Sequence, residues 1–353
     1  MNQRLENLNS EFDLFYQQFY ANWPLLREAL QKKEKDFVAA INSFLPQNYG
    51  QNLAHEWQSK LYGDATREGQ YLLGSDQAAS KVSAHGDGPF PAPVAIESDE
   101  RTALFNYYIV DRPSFVLASV FAQLLQKMQK ENAASPLQVG DFCSAPGGKF
   151  LMTLFQLKNR LEINKLDSWE WLVNEQSQDR SLRLRRNLEN YLPKNILELV
   201  QVKNYDARLF GKKMPAHFDA ILLDVPCSSE RHVMHDEKEM KNWKVKRPKM
   251  LAELQFSLLC SAYDALKPGG VLLYSTCALA PFENEGQMER LQKKREGVQI
   301  YTLKDLAHDL GQSEQQLLPF FEARSAGHLA LPTHPEALHQ GPLYGAFIVK
   351  TTR

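Results

Sequence analysis

Two short apolar runs each end in a cysteine. ILLDVPCSSERH places Cys227 just past one run, and VLLYSTCALAPFENE places Cys277 just past the next. Consecutive strands of a sheet are usually neighbours. Paired strands lie about 4.8 Å apart, so both thiols are expected to face one crevice. The thiolate is the reactive form, and an unperturbed cysteine with a pKa of about 8.5 is only slightly ionised at neutral pH. A thiol pair at adjacent strand ends, beside carboxylates, suits covalent catalysis, which splits one hard step into easier ones. Cys260 reads differently: it lies inside the amphipathic LQFSLLCSAYDAL and is expected in the core.

Upstream, DFCSAPGGKF reads as a strand, a small-residue turn and the start of a helix. Paired glycines let backbone approach a ligand closely, and a helix N-terminus offers free amides. The pattern is not GxxxxGK[ST], which disfavours a phosphate-cradling P-loop. Glu175, Asp206 and Asp224 then fall at the ends of three successive expected strands. One such acid is usually a helix cap. Three on one sheet edge favour a nucleoside-type cofactor, with the carboxylate after the second strand accepting both ribose hydroxyls. Glu175 lies further past the glycines than the usual spacing of about 20 residues, so QLKNRLEINKLDS, residues 156–168, is expected to be an inserted loop.

The elements that must hold these groups alternate. From about residue 114, helical stretches alternate with short apolar strands, the mark of a parallel sheet with helices on both faces. GVQIYTL and GAFIVKT read as a closing antiparallel pair. Residues 1–83 read as a helical N-terminal region. Phe12, Phe15, Tyr16, Phe19 and Tyr20 form one apolar helix face, Pro24 opens a second helix, and 36–44 reads as a third. AHGDGPFPAPVAIES marks a linker over 84–100, with the sheet domain over 101–353.

The 353 residues are 43% hydrophobic and 24% charged, enough for an ordinary globular core without staples. Lys plus Arg number 41 against 42 Asp plus Glu, so any polyanion must be bound by local basic patches. No run approaches the about 20 apolar residues of a membrane span. Four cysteines without a CxxC pair disfavour disulfides and structural zinc, and no metal or membrane partner is expected. The N-terminal residues lack the pattern of a secretory signal or transit peptide, so a reduced, cytoplasmic setting is expected.

DFCSAPGGKF, DVPCSSERH and LLYSTCALAPFENE resemble the motifs of the Nop/Sun family of RNA (cytosine-5)-methyltransferases, and most closely the branch of the animal mitochondrial ribosomal-RNA enzyme. FYANWPLLREALQ, NYYIVDRPSFVLASVF and GPLYGAFIVK extend the likeness over most of the chain. The resemblance implies a Rossmann-like class I methyltransferase domain, α/β with a mostly parallel sheet and a terminal antiparallel strand, behind the helical region. It implies S-adenosylmethionine as cofactor and RNA, ribosomal before transfer RNA, as substrate. A catalytically silent RNA-binding assembly factor is the alternative, and no protein partner is implied. Cofactor contacts carried over are Cys143, Ser144, Ala145, Pro146, Gly147, Gly148 and Lys149, with Glu175 for ribose, Asp206 for adenine and Asp224 near the sulfonium. Family members commonly have Asp at the ribose position, where this chain has the longer Glu175. Cys277 is the implied nucleophile and Cys227 the residue of product release. DNA cytosine methyltransferases use a proline-cysteine nucleophile, which keeps Cys227 as the rival. Asp224 would hold a proton toward the ring nitrogen, and Lys149 would favour a thiolate. On the RNA side, Arg231 and His232 flank the site. Lys241, Lys244, Lys246 and Arg247 form a basic stretch around Trp243, which would stack on a base. Arg180, Arg183, Arg185 and Arg186 are further backbone-contact candidates.

Overall fold

The computed structural model describes residues 10–32, 36–46, 71–75, 92–97, 103–132, 135–161, 166, 168–338 and 340–352. The chain opens with α1 (Glu11–Tyr16), capped by Ser10, and α2 (Trp23–Gln31), which starts on Pro24. Next come β1 (Asp36–Ile41) and β2 (Tyr71–Ser75), then a β3–β4 hairpin (Ala95–Glu97, Ala103–Phe105) and β5 (Tyr107–Asp111). The third expected helix is therefore a strand. Val38 to Ile41 are all buried, a continuous apolar run with no helical period, and β1 pairs antiparallel with both β2 and β5. Pairing overrides a neutral local preference. Among the described residues of 1–83, the helical reading thus holds for the first two helices and not for β1 and β2; residues 1–9, 33–35, 47–70 and 76–83 lie outside the described residues. Most of the expected linker lies outside the described residues, and its described end forms β3.

Asp111 caps α3 (Arg112–Glu131), accepting from the Ser114 amide at 2.9 Å. The alternation that follows is β6 (Gln138–Asp141), α4 (Gly148–Arg160), β7 (Glu170–Asn174), α5 (Gln178–Tyr191), β8 (Val200–Lys203) and β9 (Phe218–Asp224). Then come α6 (Glu230–His235), α7 (Glu237–Asn242), α8 (Lys246–Ala265), β10 (Leu266–Thr276) and α9 (Glu285–Lys294). The chain closes with β11 (Val298–Ile300), β12 (Phe321–Ala323), β13 (His328–Ala330) and β14 (Leu343–Lys350). The sheet runs β12-β13-β14-β10-β9-β6-β7-β8, with β11 also on β14. β8 through β10 are parallel, whereas β14 is antiparallel to β10 and to β11, the closing pair expected from sequence. The expected inserted loop over 156–168 begins as helix, since α4 runs to Arg160; residues 162–165 and 167 lie outside the described residues.

Strand order reverses between β6 and β9, so their carboxyl ends open a crevice, the usual ligand site of an open α/β sheet. One core layer packs α3 and α4 on the sheet, and the other packs α1 and α8 on its opposite face. The aromatic face of α1 belongs to that second layer. Phe12, Phe15 and Tyr16 surround Trp243, which is 3% exposed. The base-stacking expectation for Trp243 is therefore corrected: it is the seat of the N-terminal helix.

Candidate active site

A cavity of about 860 Å³ occupies the crevice. Ala145, Pro146 and Lys149 line it from the glycine loop, Asp224 and Cys227 from the end of β9, and Cys277 from the end of β10. Its size suits a small-molecule site. Ser275 pairs with Asp224 in the β10–β9 register, so the following residues of both strands emerge side by side. The result is an Sγ–Sγ separation of 2.9 Å between Cys227 and Cys277, both free thiols. That is well beyond the about 2.05 Å of a disulfide. The Cys277 amide also points at Cys227 Sγ (3.3 Å), and Ser229 Oγ lies 3.1 Å from Cys277 Sγ.

The two sulfurs are not equivalent. A hydrogen bond from Cys227 holds the Cys277 thiol below its ordinary pKa, against the opposing effect of burial. The same contact, reinforced by burial, pushes Cys227 well up. Cys277 is therefore the more acidic thiol of the pair. Asp224 accepts from Lys149 Nζ at 2.8 Å and from Ser275 Oγ at 2.6 Å. Burial draws the Lys149 ammonium down, but Asp224 and then Asp111 outweigh it and hold the pKa above its ordinary value. Cys277 adds to that pull, so Lys149 is a fixed cation beside the sulfur site.

The glycine loop fits a nucleoside cofactor. Gly147 has φ +101°, the left-handed region, and a Cβ there would meet Leu184 Cδ1 at 2.9 Å. The loop is therefore held bare at the mouth of α4. Glu175 and Asp206 follow β7 and β8 and Asp224 ends β9; of the three, Asp224 lines the cavity. Glu175 is 5% exposed, accepts from the Ser177 amide at 2.9 Å, and is paired with Arg180 at 3.3 Å. Arg180 also donates to Ala145 O at 2.6 Å and lines the cavity. It braces the cofactor loop, which corrects its reading as an RNA-backbone contact. Asp206 caps the next turn and binds Arg208, whose guanidinium holds its carboxyl low. Burial pushes the thiol of the half-buried Cys143 up. Replacing Gly147 with Ala is expected to weaken cofactor binding about 10- to 100-fold by calorimetry, from backbone strain plus the clash.

Of the expected RNA contacts, His232 is exposed and lines the cavity. Arg231 is 6% exposed, and its guanidinium donates to Lys32 O at 2.8 Å and Gly341 O at 3.1 Å. That makes it a strut between segments. Lys241, Lys244, Lys246 and Arg247 are not brought to the cavity: Lys244 pairs with Glu11 and Arg247 with Glu239. Lys241 and Lys246 are exposed on the α7–α8 surface.

Sequence reading missed a buried pair of acids behind the cysteines. Glu230 and Glu283 are each 0% exposed. Glu283 accepts from the Ser228 amide (3.0 Å), Ser228 Oγ (2.5 Å) and Gln255 Nε2 (2.7 Å). Glu230 bonds Ser228 Oγ and Tyr16, and accepts from the Leu279 amide at 3.0 Å. The two cysteine-bearing loops and α1 therefore meet on two carboxyls. Ser228 has one hydroxyl proton for two carboxyl contacts, so one acid must carry a proton. Burial first, then Glu230, pushes Glu283 up to about 8. The signal was present in the spacing Ser228–Glu230 and Glu283, but only the fold joins them.

A doubly wound sheet with a bare glycine loop, three acids on its carboxyl edge and a reactive thiol pair defines a cofactor-dependent methyltransferase. The family model described as 16S rRNA methyltransferase RsmB/F matches residues 125–346, and the chain belongs to that family. It is an S-adenosylmethionine-dependent RNA methyltransferase. The chain is similar to the 5-cytosine rRNA methyltransferase NSUN4 of Bos taurus, 29% identical over 94% of this chain and 86% of the relative. It is also similar to the Ribosomal RNA small subunit methyltransferase F of Aeromonas salmonicida, 34% identical over 54% of this chain and 40% of that one. In fold it is similar to the crystal structure of NSun6 from Pyrococcus horikoshii with SFG, with TM-score 0.63, 15% identity, and coverage of 96% and 97%. Among the described residues no helix is long and apolar enough to cross a membrane, and no group of three or more ligand side chains is placed to hold a metal ion.

Proposed function

We propose that this enzyme methylates carbon 5 of a cytosine in ribosomal RNA through a covalent bond from Cys277 to carbon 6. The observation that carries this reading is the 2.9 Å contact between two free thiols at the cavity, with Cys277 the lower in pKa. Carbon 5 of cytosine is a poor nucleophile. As the Cys277 thiolate adds to carbon 6, the ring electron pair shifts and its nitrogen takes up a proton. The Asp224 carboxylate, which accepts from the Lys149 ammonium at 2.8 Å, is positioned to relay a proton from that cation to the ring and to take it back when the ring electrons return. Carbon 5 is then electron-rich, and S-adenosylmethionine supplies the methyl group when bound. The carbon 5 proton leaves to solvent water, its bonding pair re-forms the carbon 5–carbon 6 double bond, and the carbon 6–sulfur bond breaks to release Cys277. Cys227 donates its S–H to that sulfur as it regains charge, so the same hydrogen bond serves attack and release.

A target base must leave its stack to reach both sulfur and cofactor, which is cheapest in unpaired RNA. His232 is exposed and lines the cavity, which supports a contact to that strand. The relatives named as ribosomal-RNA enzymes support ribosomal RNA as the substrate. Bisulfite sequencing of ribosomal and transfer RNA from a strain lacking the gene is expected to show one ribosomal cytosine losing protection. Purified enzyme with S-adenosylmethionine should restore it. Loss confined to transfer RNA would reverse the substrate assignment.

A further inference from the structure

The cavity has a wall that neither the glycine loop nor the cysteines occupy. Phe37 of β1, His232 and His235 of α6, and the loop 340–343 leading into β14 form it. Gln340 is its anomalous member. It is 0% exposed, yet neither Nε2 nor Oε1 has a hydrogen-bond partner. Buried side-chain amides are nearly always satisfied, because leaving one unpaired forfeits its hydration for nothing. Nor is the loop loosely set. Arg231, just past the Cys227 motif, donates to Gly341 O at 3.1 Å and ties this loop to Lys32 of the N-terminal segment. An anchored, unpaired carboxamide in the wall of a catalytic cavity is a group whose partner arrives with a ligand.

Sheet order says which ligand. The acids suited to a nucleoside cofactor follow β7, β8 and β9, on one side of the cysteine pair. Gln340 precedes β14, beyond β10 on the other side, and β14 is antiparallel, so its start lies at the same sheet edge as Cys277. We propose that the Gln340 carboxamide holds the polar edge of the extruded target cytosine. This rests on the reading of the site as an RNA cytosine methylation centre. The base edge carries an exocyclic amine beside ring and carbonyl acceptors. The carboxamide oxygen can accept from that amine, leaving the ring nitrogen to the proton relayed through Asp224. Enzymes that extrude a base read it by hydrogen bonds of this kind. Phe37 and Pro342 supply apolar surface in the same wall.

The test is Gln340→Leu, which removes both polar atoms at similar volume. Nothing pairs with them in the free protein, so the melting temperature is expected to hold or rise, and S-adenosylmethionine affinity to stay unchanged. With ribosomal RNA carrying the mapped cytosine, kcat/KM is expected to fall about 10-fold or more, the effect of one lost hydrogen bond to the base amine. The same RNA with an abasic site at that position is expected to bind variant and wild type equally, while intact RNA binds the variant more weakly. A purely structural role would lower stability and weaken both RNAs alike. Either that outcome or wild-type kcat/KM in Gln340→Leu would overturn the assignment. Failure of the wild-type enzyme to methylate any cytosine would overturn the parent reading, and this one with it; the wild-type control shows which has failed.

Discussion

Cys277→Ala is expected to abolish methyl transfer, by at least about 10⁴-fold in kcat, the scale on which an enzyme loses a nucleophile that acts as a unit with its neighbours. The variant should still bind S-adenosylmethionine, because the cofactor loop and its acids sit at the ends of β6, β7, β8 and β9 and not on β10. Cys227→Ala is expected to behave differently. Addition continues, but the departing Cys277 sulfur has lost the thiol that donates to it from 2.9 Å. A covalent RNA–protein adduct should accumulate and appear as a retarded band on a denaturing gel. The low pKa of Cys277 depends first on the same hydrogen bond. In Cys227→Ala, alkylation of Cys277 by iodoacetamide should therefore shift to higher pH. An adduct trapped by Cys277→Ala, and absent from Cys227→Ala, would exchange the two roles.

The convergence of these thiols was legible from the chain because it needs only local information. Each follows an apolar run too short for a helix, and neighbouring runs in an alternating pattern pair in parallel. Glycine conformation made the cofactor loop equally readable. Other features depend on partners far away in sequence. DFVAAINSF carries no periodicity, and its strand identity comes from pairing with β5. Trp243 sits among lysines and reads as a surface residue until Phe12 and Tyr16 are packed over it. Arg180 looks like a solvated helix position, yet it turns inward to Glu175 and the loop carbonyl of Ala145. Gln340 has no signal at all in the sequence, since its distinction is the lack of a partner in the folded state.

Glu283→Gln is expected to change the pH dependence of stability more than any other substitution that leaves the cysteines alone. Glu283 is held at about 8 in the folded protein against an ordinary value of 4.5. Its carboxyl binds a proton in the native state that the unfolded chain has already released. The native structure is thus fully favoured below about pH 4.5, and that contribution is lost as pH rises toward 8. At about 1.4 kcal/mol per unit the loss is on the order of 5 kcal/mol, and above pH 8 it levels off. Glutamine mimics the protonated acid. Its oxygen accepts from the Ser228 amide and Gln255 Nε2, while its NH₂ donates to Ser228 Oγ, which in turn donates to Glu230. The groups facing this site are Glu230, which burial also raises, and the phenols of Tyr16 and Tyr274, pushed far up by burial. Cys227 lies close enough to feel Glu283 and Cys277 to feel Glu230, while Asp141, held at about 7 under the cofactor loop, titrates independently in both proteins. Urea unfolding from pH 5 to pH 9 should therefore show wild type falling below the variant, with the gap opening from pH 5 and constant above pH 8. Parallel curves would mean that the proton between the two acids is not held at Glu283. Because Ser228 and Leu279 sit beside the two cysteines and bond to this pair, the variant should also keep its methylation rate at pH 8.5 better than wild type.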